Sequence, residues 1–191
     1  MKLKTVITVA TAWMLTAGMA KAVHIWEDPG AWSGDIFKYD TTTPKYTANE
    51  LSLDLSGSYI AAEGEFHDVL RTSIRGHRGT WGGNAGLDYF FTRMLGVGGD
   101  INMSANGGKF IDQALGSVIL RFPLDPTGLA PYVMGGGGRA FDPSWEWLGH
   151  AGAGLEYRFN PVTGIFADAR FIWADHSDNR LLLRAGLRLA F

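Results

Sequence analysis

The chain has 191 residues, with 17 basic and 19 acidic side chains, no cysteine, 26 glycines, 13% aromatic residues and a mean hydropathy of −0.01. The missing cysteines exclude a disulfide framework, and the slight acidity argues against nucleic acid as a partner. A mean hydropathy near zero describes most soluble proteins, but it also describes any chain whose apolar residues occupy only every second position.

Residues 1–22 have the organisation of a secretory signal peptide: Lys2 and Lys4, then a mostly apolar run from Val6 to Met19, then Ala20-Lys21-Ala22 as a small-x-small cleavage site. The run is shorter than the roughly 20 residues of a membrane-spanning helix. Cleavage predicts a chain starting at Val23 and leaves 14 basic against 19 acidic residues, a net charge near −5. Residues 23–50 follow neither helical nor strand periodicity, and Pro29 and Pro44 interrupt them. They are expected to form an irregular periplasmic segment. Its Trp26 and Trp32 are candidate anchors for a periplasmic partner, because aromatic side chains dominate protein interfaces.

From residue 51 onward the pattern has a period of two, which places alternate residues on opposite faces of a strand. Eight such segments follow: Leu51 to Ala61, Trp81 to Phe91, Val97 to Met103, Ala114 to Phe122, Leu129 to Gly138, Trp147 to Phe159, Ile165 to Trp173, and Leu183 to the terminal Phe191. The fifth is rich in glycine and its phase stays open. Short connections at 92–94, 123–128 and 160–164 alternate with longer ones near 62–80, 104–112, 139–146 and 174–180. Three short turns and four longer loops suit an eight-stranded antiparallel barrel with both ends on the periplasmic side.

One face of these segments carries Leu, Tyr, Trp and Phe. The other carries Gly, Ser and charges. A soluble barrel buries its bulky apolar face inward, whereas eight strands enclose an interior only wide enough for side chains. Small residues with opposed charges fit that interior, so the expected fold is all-β: an eight-stranded transmembrane β-barrel over residues 51–191. Trp81, Phe91, Phe122, Trp147, Tyr157, Phe159, Trp173 and Phe191 fall near strand ends, where membrane girdles form. The inward set then contains Asp54, Asp88, Asp100, Arg121, Glu156, Arg158, Asp168, Arg170, Arg184 and Arg188. Opposite charges in so narrow a lumen must pair, and the expectation is a structural charge network that fills it. On this phasing Arg at Leu120, Ala153 or Leu187 is expected to harm assembly more than Asn at Ser117, Gly152 or Gly186.

No catalytic, cofactor or metal site is expected. Gly135 to Gly138 lacks the Lys and Ser/Thr of a phosphate loop, and Pro123 to Gly128 is a turn signature. Asp175-His176-Ser177-Asp178 is similar to the His-x-Ser pair of the lipid A 3-O-deacylases, also eight-stranded barrels. Here, however, His176 and Ser177 are adjacent and no Glu follows them.

Pro131-Tyr132-Val133-Met134 with Gly135 to Gly138, Ala151 to Phe159, and the closing Arg188-Leu189-Ala190-Phe191 together resemble the outer-membrane β-barrel superfamily of small porin-like and opacity-type proteins. The resemblance implies residence among outer-membrane lipids and a terminal Phe191 read by the barrel-assembly machinery. The expected function is a small non-enzymatic outer-membrane protein with a structural or surface-interaction role. The alternatives are a lipid-modifying hydrolase and a narrow pore.

Overall fold

A computed structural model describes residues 44–62, 79–104, 110–125, 127–142, 145–175 and 179–191. The expected signal peptide, Trp26 and Trp32, and the His176-Ser177 pair lie outside the described residues.

Eight strands run in chain order: β1 (Glu50–Ala62), β2 (Thr80–Phe90), β3 (Leu95–Ser104), β4 (Gln113–Arg121), β5 (Leu129–Ala140), β6 (Glu146–Arg158), β7 (Thr163–Ala174) and β8 (Arg180–Ala190). Each pairs antiparallel with its neighbours, and β1 pairs with β8, so the sheet closes into a barrel with no free edge. In hydrocarbon that closure satisfies every strand backbone group without water.

The short connections are fixed by local side-chain bonds. Thr92 Oγ1 accepts from the amides of Met94 and Leu95, and Asn160 Oδ1 from those of Val162 and Thr163. At the turn between β4 and β5 Gly128 has a φ of 77°, and a Cβ there would lie 2.7 Å from the Arg158 carbonyl oxygen. Only glycine fits that position.

Outward positions carry the membrane face. Leu55, Leu87, Val118, Val133, Leu155, Ile165, Leu183 and Leu187 are exposed on the wall. Trp81, Trp147 and Trp173 mark the long-loop end, and Phe91, Phe122 and Phe159 the short-turn end. Neighbouring girdle rings touch edge to face, as in Tyr89–Phe91 at 5.1 Å and Tyr157–Phe159 at 5.3 Å.

The lumen is more apolar than the sequence pattern implies. Phe90, Leu115, Ile119, Tyr132, Met134, Leu148, Phe166, Ile172 and Leu182 all point inward and are buried. Leu115, Ala140, Leu148, Ile172 and Leu182 form a layer at the long-loop end. Phe90, Ile119, Tyr132 and Met134 form a second cluster toward the short turns. The fifth segment, open in the sequence, resolves with Ala130, Tyr132, Met134 and Ala140 inside.

Inward glycines are held by close backbone approach. A Cβ on Gly186 would lie 2.1 Å from the Leu55 carbonyl oxygen, and one on Gly152 would lie 2.5 Å from that of Ala169. Asn at Gly152 or Gly186 therefore carries a steric cost of its own, set by the strong curvature that crowds inward positions and not by the face alone. Outward Gly57 would place a Cβ in open space.

The expected boundary at residue 51 also moves. Glu50 is the first residue of β1, and Lys45 and Tyr46, assigned by sequence to an irregular periplasmic segment, are buried in the barrel's short-turn end. Asn49, at φ 56°, makes the bend from this plug into β1. Asn is among the few side chains that accept that conformation readily.

Candidate functional site: the lumenal charge network

The inward residues form two tiers of ion pairs. In the lower tier, near the short turns, Arg158 clamps Glu50 with two nitrogens at 2.6 and 2.8 Å, while its Nε donates to Glu156 at 2.6 Å. Arg121 donates to Glu50 at 2.9 Å. Arg188 reaches three carboxylates: Asp54 at 2.5 and 2.7 Å, Asp88 at 2.6 Å and Glu156 at 2.7 Å. In the upper tier Arg184 grips Asp168 at 2.6 and 3.0 Å and Arg170 holds Asp100 at 2.6 Å. Asn84 ties the two pairs together, donating to Asp100 at 2.9 Å and accepting from Arg184 at 2.8 Å.

Aromatic rings separate and cap the charges. Phe166 lies under both Arg184 and Arg188, with guanidinium-to-centroid distances of 5.4 and 5.1 Å. Tyr46 lies between Arg121 and Arg158, 4.6 Å from each, and its hydroxyl donates to the Gly128 carbonyl at 2.8 Å. Burial, reinforced by the charge of Glu156, raises the Tyr46 phenol above its ordinary pKa. A planar guanidinium can stack and donate in its own plane at once, which suits arginine rather than lysine to these positions.

All ten sequence-selected charges point into the lumen, and all are buried. The structure distributes them between the two tiers and adds groups that the sequence reading left out. Glu50 was missed because it falls at the edge of the irregular segment, although its two-residue spacing to Ser52 and Asp54 extends the alternation. Tyr46 and Lys45 lie in no strand and gave no periodic signal. With Glu50 included, six carboxylates face five guanidiniums in the two tiers, Glu146 and Arg180 form a further inward pair at 2.7 Å, and buried Lys45 donates to the Arg158 carbonyl at 2.9 Å. Tyr132 brings in β5 by donating to Asp168 at 2.9 Å. Every strand thus contributes to the network or its hydrogen bonds.

One pair has the elements of a nucleophile and base: Ser117 Oγ and His150 Nε2 are 3.4 Å apart. His150 Nε2 also meets the Gly116 carbonyl at 3.1 Å, and Nδ1 has no hydrogen-bond partner among the described residues. A triad needs an acid on that second nitrogen. Among the described residues no group of three or more His, Asp or Glu is disposed to hold a metal.

A closed eight-strand sheet, an apolar outer wall between two aromatic girdles and a charged lumen decide the architecture. The fold is that of the eight-stranded transmembrane β-barrels. Among solved structures the chain is similar to the N-terminal β-barrel domain of OprF from Pseudomonas aeruginosa, with a TM-score of 0.54 and 17% identity over 76% of this chain and 99% of that one. It is similar also to a de novo designed transmembrane β-barrel, with a TM-score of 0.51 and 15% identity over 75% of this chain and 97% of that one. No protein-family model and no curated protein sequence matches.

Proposed function

We propose that this chain is a small, non-enzymatic barrel of the outer membrane whose lumen is a structural strut and whose long loops carry any surface interaction. The reading rests on one observation: both tiers of the lumen are occupied by buried ion pairs that link strands distant in the chain, such as Arg188–Asp54 and Arg170–Asp100. A guanidinium locked by two or three carboxylates is a cross-link, and it leaves little space for a solute. Partners in this reading are the surrounding lipids, the barrel-assembly machinery acting on Phe191, and a periplasmic component engaged through Trp26 and Trp32.

The test is a pair of measurements on the purified full chain. Planar-bilayer recordings should show no steady conductance of porin size. Incubation with lipid A, followed by mass spectrometry, should show no loss of acyl chains. A stable channel would favour the pore. Acyl release abolished by His176→Ala would establish the hydrolase instead.

A further inference from the structure

Of all the residues at outward positions on the eight strands, Arg139 alone is charged. Its direction follows from register: it pairs with Ala114 on β4 and Trp147 on β6, both outward, while the next residue, Ala140, is fully buried. A lipid-facing arginine costs roughly 2–4 kcal/mol at the bilayer midplane and about 0–1 near the interface. Arg139 is the second-last residue of β5 at the long-loop end, level with Trp147, and so lies in the headgroup zone.

Two indoles frame it. The guanidinium carbon is 4.7 Å from the Trp145 ring centroid and 5.2 Å from that of Trp147. Both tryptophans are exposed, at 63% and 65%. Among the described residues Arg139 Nε is enclosed without a hydrogen-bond partner, and no carboxylate forms an ion pair with this arginine. The acid on the facing strand end, Glu146, points into the lumen and holds Arg180 at 2.7 Å. Every other strand arginine is inward, and Arg121, Arg158, Arg170, Arg180, Arg184 and Arg188 each meet a carboxylate.

A cation stacked on aromatic rings keeps its in-plane N–H groups free to donate, and a fork of such donors matches phosphate. At this height on the outer wall, the anion within reach is a lipid headgroup. We infer that Arg139, framed by Trp145 and Trp147, binds the phosphate of an anionic lipid in the outer leaflet.

Native mass spectrometry of the full-length barrel released from neutral phosphatidylcholine micelles, with lipids added in turn, tests this. Bisphosphorylated lipid A should stay bound and dephosphorylated lipid A should not. Arg139→Gln should lower retention about tenfold, the loss of one charge-assisted hydrogen bond of about 1.5 kcal/mol. Arg139→Lys, which keeps the charge and loses the fork, should fall between. Heat-modifiable migration of each variant reports folding. If R139Q does not fold, Trp147→Leu keeps the charge and should still weaken retention. Equal retention by folded R139Q, or of dephosphorylated lipid, would overturn the site. Displacement of the lipid by millimolar inorganic phosphate would overturn the assignment to a lipid and leave a free-anion site.

Discussion

Arg188 is the residue on which the lower tier depends. Its three nitrogens contact Asp54, Asp88 and Glu156 at 2.5–2.7 Å, and its side chain is almost fully buried. Arg188→Met keeps much of the volume but strands Asp54 and Asp88 in a narrow, enclosed lumen and leaves Glu156 to Arg158. Removing one partner of a single buried pair costs about 3–5 kcal/mol, and here one cation serves three acids, so the loss should reach the top of that range. That is a large part of the roughly 5–15 kcal/mol that holds a typical domain folded. Neutralising an acid should restore part of it: Arg188→Met with Asp54→Asn should be more stable than R188M alone, although Asp54→Asn in the wild-type background should destabilise. Arg188→Lys should lie between, keeping the charge without the three-way fork. Urea unfolding in lipid vesicles, followed by tryptophan fluorescence and by heat-modifiable migration, measures all four. R188M within about 1 kcal/mol of wild type, or effects of R188M and D54N that simply add, would refute a network built around this guanidinium.

The inward and outward glycines should respond oppositely. Gly186→Ala should impair assembly, because its Cβ would lie 2.1 Å from the Leu55 oxygen, whereas Gly57→Ala meets open space and should be neutral or stabilising by about 0.5–1 kcal/mol in the same unfolding assay. Arg placed at Leu187, exposed on the wall away from the strand ends, should cost up to about 2–4 kcal/mol, Arg at Leu120, the second-last residue of β4, less, and Asn at inward Ser117 less than Arg at Leu187; equal cost at Ser117 and Leu187 would reverse the inside–outside assignment. Truncation to residue 43 should leave insertion intact. Truncation to residue 49 should lower stability, because it removes Lys45 and the Tyr46 ring that both lower-tier arginines stack on. The raised Tyr46 pKa stabilises the fold fully below the phenol's unfolded value near 10, and that contribution is lost as pH rises beyond it. Tyr46→Phe should therefore flatten the alkaline limb of a stability–pH curve, and an unchanged limb would exclude Tyr46 as its source.

Much of the architecture is written in parity. Alternation along Leu51 to Ala61 or Trp147 to Phe159 assigns each side chain to a face by strand geometry alone, and the closing strand shows the same pattern. That is why eight strands and all ten charges could be placed inside or outside from residue types. Their heights and partners could not. Parity says that Arg188 and Asp54 share a lumen. That they face one another at 2.5 Å depends on the β1–β8 register, which pairs Asp54 with Arg188 directly.

Apolar inward residues such as Leu115, Ile172 and Leu182 were hard to read for a related reason. In sequence, Leu115 lies between two residues of the outward face, and an apolar residue on a mostly polar face breaks no rule until closure assembles five such exceptions into one layer. Lys45 and Tyr46 gave no periodic signal, because their place is set by contacts with Gly128, Arg121 and Arg158, far along the chain. Strand positions, their count and the two faces are legible in the residue pattern, since a period of two is a local property of the backbone. Which charges meet, what separates the tiers and what plugs the short-turn end follow from register and closure, which bring together residues more than a hundred positions apart.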